Sequence, residues 1–127
     1  MNQIELFEEK VKEYIGSKYA VAVDHGTSAI WDSLIAVGVG KGDKVITTPY
    51  TFDATSDTII QLGAEPLFAD IKREDYLIDP IKVEDLYVEH RGEVKAILCV
   101  HLFGKVCEMD RLTQLSQYWG VPLIEDA

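Results

Sequence analysis

Residues 95–125 read KAILCVHLFGKVCEMDRLTQLSQYWGVPLIE, and this stretch decides the fold. Lys95 to Val100 is a short apolar run of strand length. Met109 to Trp119 has the spacing of an amphipathic helix, and Val121 to Glu125 is a second apolar run. A strand, a covering helix and another strand make a right-handed β-α-β unit with parallel strands.

The same alternation continues toward the N-terminus. Phe7, Val11, Tyr14 and Ile15 recur at helical spacing, so residues 3–15 are expected to form a helix ended by Gly16. Tyr19 to Val23 reads as a strand, Thr27 to Val37 as a helix, and Lys44 to Thr48 as a strand stopped by Pro49. Thr51 to Leu62 reads as a helix terminated by Gly63, and Pro66 to Ala69 as a strand. Asp70 to Asp79 reads as a polar connection, with a short helix from Pro80 through Leu86. The expectation is one α/β domain over residues 1–127, with a mostly parallel sheet and flanking helices. The last strand reads as buried with no helix after it, which is expected of part of a larger architecture.

Composition narrows the function classes. The 127 residues carry 22 acidic and 12 basic side chains, a net charge of −10, and no Lys/Arg run. Such a chain repels nucleic-acid backbones, so no DNA or RNA partner is expected. No apolar run approaches membrane-spanning length, and the N-terminus lacks the basic start and apolar stretch of a signal peptide. Cys99 reads as a buried core thiol and Cys107 as a loop residue. The two form no C-x-x-C pair and no metal-ligand spacing, so no metal and a reduced, cytoplasmic location are expected.

Four segments carry candidate chemistry, each just after a strand. Asp24-His25-Gly26-Thr27-Ser28-Ala29 opens a helix. Gly26 permits a tight turn, the first helical amides lack partners, and Thr27 and Ser28 add hydroxyls, which together suit a phosphate. Simple capping by Thr or Ser explains this segment equally well on local grounds. In Thr48-Pro49-Tyr50-Thr51-Phe52-Asp53-Ala54-Thr55, the ring of Phe52 can face a flat ligand or sit in the core. His101 lies just past a strand's carboxyl end, where open α/β sheets bind ligands, although a hydrogen-bonded loop histidine is the commoner case. Asp126 can hold a protonated ring nitrogen in its charged form, or can be an exposed loop carboxylate. Together the four would line one edge of a parallel sheet with a phosphate cradle, a stacking ring and a carboxylate.

The order and wording of these blocks resemble the DegT/DnrJ/EryC1/StrS aminotransferases, which use pyridoxal phosphate (PLP) to aminate keto-sugars on nucleotide carriers. The resemblance runs from the Phe7-Glu8 helix to Ile124-Glu125-Asp126-Ala127. It includes Gly38-Val39-Gly40-Lys41-Gly42-Asp43, Leu62-Gly63-Ala64-Glu65-Pro66 and Val100-His101-Leu102-Phe103-Gly104. It implies part of the large domain of the aspartate-aminotransferase type (fold type I). It also implies phosphate contacts from Gly26, Thr27 and Ser28, stacking by Phe52, a ring-nitrogen contact from Asp126, and His101 near the site.

Two departures, Asp24-His25 before the glycine and Asp53, are not expected to touch the proposed contacts. Family members are several times longer, and their Schiff-base lysine lies beyond the Glu-Asp-Ala block, so no catalytic residue is assigned here. Lys105 reads as a solvated charge. A truncated or split aminotransferase without turnover of its own is therefore expected. The alternative is a non-catalytic ligand-binding or regulatory module, of the kind labelled "pleiotropic regulatory protein" in this family. A dinucleotide binder would need its glycine-rich turn after the first strand, whereas Gly38 to Gly42 follows a helix. Uncovered sheet surface would favour a homo-oligomer.

Overall fold

The computed structural model describes residues 2–127. Four parallel strands form one sheet in the order β2-β1-β3-β4: β1 (Lys44–Thr47), β2 (Glu65–Phe68), β3 (Val94–Val100) and β4 (Leu123–Asp126). The helices are α1 (Gln3–Ile15), α2 (Gly26–Ala36), α3 (Ala54–Gln61), α4 (Pro80–Glu89) and α5 (Met109–Trp119). The α/β architecture read from the sequence, a mostly parallel sheet with flanking helices, is therefore present. Register follows the apolar runs: Ile46 pairs with Ile97, and Ile97 with Leu123.

Because side chains alternate along a strand, β3 feeds two cores. Ile97 and Cys99 join Ile46, Val83, Leu112 and Leu115 on the face covered by α4 and α5. Ala96 and Leu98 join Val45, Ile30, Leu34 and Ile59 under α2 and α3. Thr47, fully buried, satisfies its hydroxyl by donating to the Leu98 carbonyl at 2.9 Å.

The expected boundaries of α1 and α5 match the structure. Other elements differ for identifiable reasons. Tyr19 to Val23 is not a strand. It has no ladder partner, and Tyr19 and Val21 are 74% and 80% exposed. Alternating apolar residues cannot make a strand without a neighbour to take the backbone hydrogen bonds. The Ala22 amide is instead satisfied by the Glu8 carboxylate at 2.8 Å.

α3 starts at Ala54 rather than Thr51, because Pro49 and a turn closed by the Thr48 hydroxyl on the Tyr50 amide delay it. α4 runs on to Glu89, and the next chain reversal comes at Gly92. β4 is a half-buried edge strand, not a buried one. The connection after β2 is not wholly polar either, since Leu77 and Ile78 plug the α4/α5 core.

Gly63 combines a left-handed φ of +77° with a crowded setting, where an added Cβ would stand 3.3 Å from the Lys41 backbone. Gly63→Ala should cost at least the ~1–2 kcal/mol of placing a side chain in that conformation. Urea unfolding followed by circular dichroism will read it.

Candidate functional site

Since all four strands are parallel, the segments after Thr47, Val100 and Asp126 leave the sheet at one edge. The start of α2 reaches the same edge. Gly26, Ala29, Ile30 and Ser33 line a cavity of about 220 Å³ together with Ile124, Glu125, Asp126 and Ala127. The structure thus brings Gly26 and Asp126, about 100 residues apart in sequence, to one small cavity.

Thr27 and Ser28 are half-buried in the first turn of α2 and line an adjoining cavity of about 470 Å³ with His25, Trp31, Asp32 and Gln61. The departure at Asp24-His25 does reach the proposed contacts, contrary to the sequence expectation. His25 caps α2, and its Nδ1 accepts the Ser28 amide at 3.2 Å. This imidazole acceptor takes one of the amides an anion would use. A hydrogen bond from the Ser28 hydroxyl holds the Asp24 carboxyl below its usual range, with the neighbouring His25 adding a smaller effect. An incoming phosphate must displace His25 from the Ser28 amide and tolerate the Asp24 charge.

Phe52 sits in the turn between β1 and α3 and is 74% exposed, so it is not a core residue. Three positions on, Thr55 is fully buried and donates its hydroxyl toward Asp126 Oδ2 at 3.5 Å, and it shares a hydrogen bond with Thr51 at 3.1 Å. Asp126 is therefore a braced carboxylate at the end of β4. The sequence reading gave Thr55 no role. A hydroxyl one helical turn after Phe52, on the inward face of α3, was the available signal.

His101 belongs to the other face of the sheet. Glu125 and Asp126 point to opposite faces by strand alternation, and the His101 ring goes with Glu125. Its Nε2 lies 3.0 Å from Glu125 Oε2, while Nδ1 accepts the Cys107 amide at 3.2 Å. Only the His101 backbone reaches Asp126, donating to its carbonyl at 2.8 Å.

Burial works against a charged ring at His101, but the hydrogen bond with Glu125 and the contact with the Cys107 side chain outweigh it and leave the pKa above the ordinary histidine value. A raised folded-state pKa stabilises the fold most below the unfolded value of about 6.5, and that contribution is lost as pH rises through the folded value. The His101 contribution to stability should thus decline above about pH 6.5. Glu125→Gln should flatten the decline, as read by urea midpoints across pH.

The model of the DegT/DnrJ/EryC1/StrS aminotransferase family matches residues 2–127. The spore coat polysaccharide biosynthesis protein SpsC of Bacillus subtilis (strain 168) is 41% identical over 125 residues, covering 98% of this chain and 31% of that protein. The UDP-2-acetamido-2-deoxy-3-oxo-D-glucuronate aminotransferase of Pseudomonas aeruginosa is 36% identical over 120 residues, 94% of this chain and 33% of the relative. A crystal structure of NtdA from Bacillus subtilis with bound cofactor PMP superposes with a TM-score of 0.94 at 34% identity, covering all of this chain and 28% of that one. The chain spans about a third of the length of the curated relatives it matches. With the whole described chain matched and the sheet in place, this chain belongs to the DegT/DnrJ/EryC1/StrS aminotransferase family.

Proposed function

We propose that the chain supplies the phosphate, ring-stacking and ring-nitrogen contacts of a PLP site in a nucleotide-sugar aminotransferase. The observation that carries this reading is the shared cavity of Gly26 and Asp126 at the sheet's carboxyl edge. The residues fit the group. Apart from its chain neighbours and the adjoining backbone of α2, no heavy atom lies within 4 Å of where a Cβ on Gly26 would stand, so a phosphate can approach the backbone there. When bound, PLP supplies an electron sink for moving an amino group.

The chain's own groups have separable tasks in this reading. The Thr27 and Ser28 hydroxyls and the first amides of α2 bind the phosphate dianion, aided by the helix dipole. Phe52 covers one face of the ring. Asp126, braced by Thr55, keeps a proton on the ring nitrogen and so maintains the ring's electron-withdrawing form. The family resemblance puts the Schiff-base lysine beyond these residues, so the 127-residue chain is expected to bind the cofactor without turnover. Among the described residues no helix is long and apolar enough to cross a membrane.

Association with a second copy is part of the same reading. None of the residues of α1 is buried, and Phe7, Tyr14, Tyr19 and Val21 are all exposed. Such a surface favours an oligomer, and a monomer by light scattering would contradict this part.

An absorbance titration with PLP, followed by borohydride and mass spectrometry, tests the function. The expected result is a saturable spectral change with no single lysine trapped. A specific borohydride-fixed lysine, or amination of a keto-sugar by the purified chain, would overturn the inactive reading. Asp24→Asn removes a carboxylate from the phosphate approach and should tighten PLP binding several-fold at low salt, with the gain shrinking as salt is added.

A further inference from the structure

On the α4/α5 face, away from the proposed cofactor contacts, three soft donors converge. One ligand atom each from Cys99, His101 and Cys107 lie within 4.8 Å of one another. The chain reversal after β3 creates the cluster. Phe103 and Gly104 both adopt left-handed φ, 57° and 75°, and return Cys107 to the end of β3, where its thiol meets the Val100 carbonyl at 3.2 Å. Cys99 and Cys107 are buried, and the His101 side chain is only 10% exposed. The thioether of Met109 stands 4.0 Å from the Cys99 sulfur.

We propose that Cys99, Cys107 and Nδ1 of His101 form a binding site for a single thiophilic cation, copper(I) or zinc(II). Two thiolates, an imidazole and a neighbouring thioether select such cations and reject magnesium and calcium, which take oxygen ligands. Metal–sulfur and metal–nitrogen bonds of about 2.3 and 2.0–2.1 Å put ligand atoms on a tetrahedral zinc roughly 3.5–3.8 Å apart. From separations of up to 4.8 Å, the cluster has to draw in by as much as about 1 Å to reach that.

The surroundings suit ligation. Glu125 holds Nε2 of His101, which leaves Nδ1 facing Cys107, the carboxylate–histidine arrangement that orients metal-bound imidazoles. The long Cys107 amide contact to Nδ1 yields when the cation binds. Hydrogen bonding from Cys99, then from His101, pulls the Cys107 thiol below the usual thiol range against burial, while the same contact and burial push the Cys99 thiol up, so the cation has to displace the Cys99 proton. Each thiol gives its proton to solvent as its metal bond forms. Entry is from a surface cavity of about 400 Å³ lined by Cys107, Glu108, Met109, Asp110 and Arg111.

The test uses the reduced full chain under anaerobic conditions, titrated with copper(I) or zinc(II) against a colorimetric chelator. One equivalent should be withdrawn from the chelator, and X-ray absorption should show sulfur in the metal's shell. Cys107→Ser should abolish this binding while keeping the circular dichroism spectrum. Glu125→Gln should weaken it by about tenfold or more, and His90→Asn should leave it unchanged. Failure of both metals to compete, binding that survives Cys107→Ser, or a shell without sulfur would overturn the proposal. None of these outcomes depends on PLP binding, so the two readings stand or fall separately.

Discussion

Ile97→Ala is expected to lower the free energy of unfolding by about 2–5 kcal/mol. Ile97 lies at the centre of β3, fully buried, and is paired in register with Ile46 on one side and Leu123 on the other. Its side chain packs in the cluster that contains Val83, Leu112 and Leu115. Truncation removes apolar transfer energy and leaves a cavity that strands held in register on both sides cannot close. Domains of this size have only about 5–15 kcal/mol of stability, so the loss is a large share of the total. Ile60→Ala is the control. Ile60 is 55% exposed on α3, and its truncation should change stability by no more than about 0.5 kcal/mol. Urea unfolding of both variants gives the comparison, and equal effects would mean the α4/α5 face is not packed as described.

Asp126→Ala should weaken pyridoxamine phosphate binding by about 10–100-fold. The range follows from the ~1.5–3 kcal/mol of a hydrogen bond to a charged group, at ~1.4 kcal/mol per tenfold. The position supports a specific effect. Asp126 ends β4, its carboxylate lies 3.5 Å from the Thr55 hydroxyl, and it shares a cavity with Gly26. Thr55→Val keeps the shape but removes that brace, and should weaken binding less than loss of the carboxylate does. Because Asp126 is at an edge strand, the alanine variant should still fold, which circular dichroism can verify. Equal affinity in wild type and Asp126→Ala would remove Asp126 from the site.

Much of the fold is legible in the residues because most of its elements are defined by local patterns. α1 and α5 are amphipathic and end at Gly16 and Gly120, both in the left-handed conformation that glycine favours. β1, β2 and β3 are short apolar runs bounded by turn residues. Tyr19 to Val23 has the same local pattern and is not a strand, because pairing depends on a neighbour that the segment itself cannot specify.

The site shows the same division. Phe52 and Asp126 are legible from the strands they follow or end, β1 and β4, whereas Gly26, Thr27 and Ser28 are read from the turn that opens α2, since the segment before it is not a strand. The His25 cap on the Ser28 amide is not legible, since histidine is an uncommon capping residue and its ring orientation is a tertiary fact. The convergence of Cys99 and Cys107 is hidden for a related reason. It depends on a left-handed Phe103, a conformation that no local preference of phenylalanine foretells.

Calorimetric titration of the chain with pyridoxamine phosphate, and separately with pyridoxamine, tests most directly whether α2 and β4 seat a phosphorylated ring. Neither probe can form an adduct with a lysine, so only the non-covalent seat is read. Saturable one-to-one binding of the phosphorylated compound, with affinity at least tenfold below it for the phosphate-free one, is the result expected from amides and hydroxyls at Gly26 to Ser28. Absence of saturable binding, or indifference to the phosphate, would contradict the account.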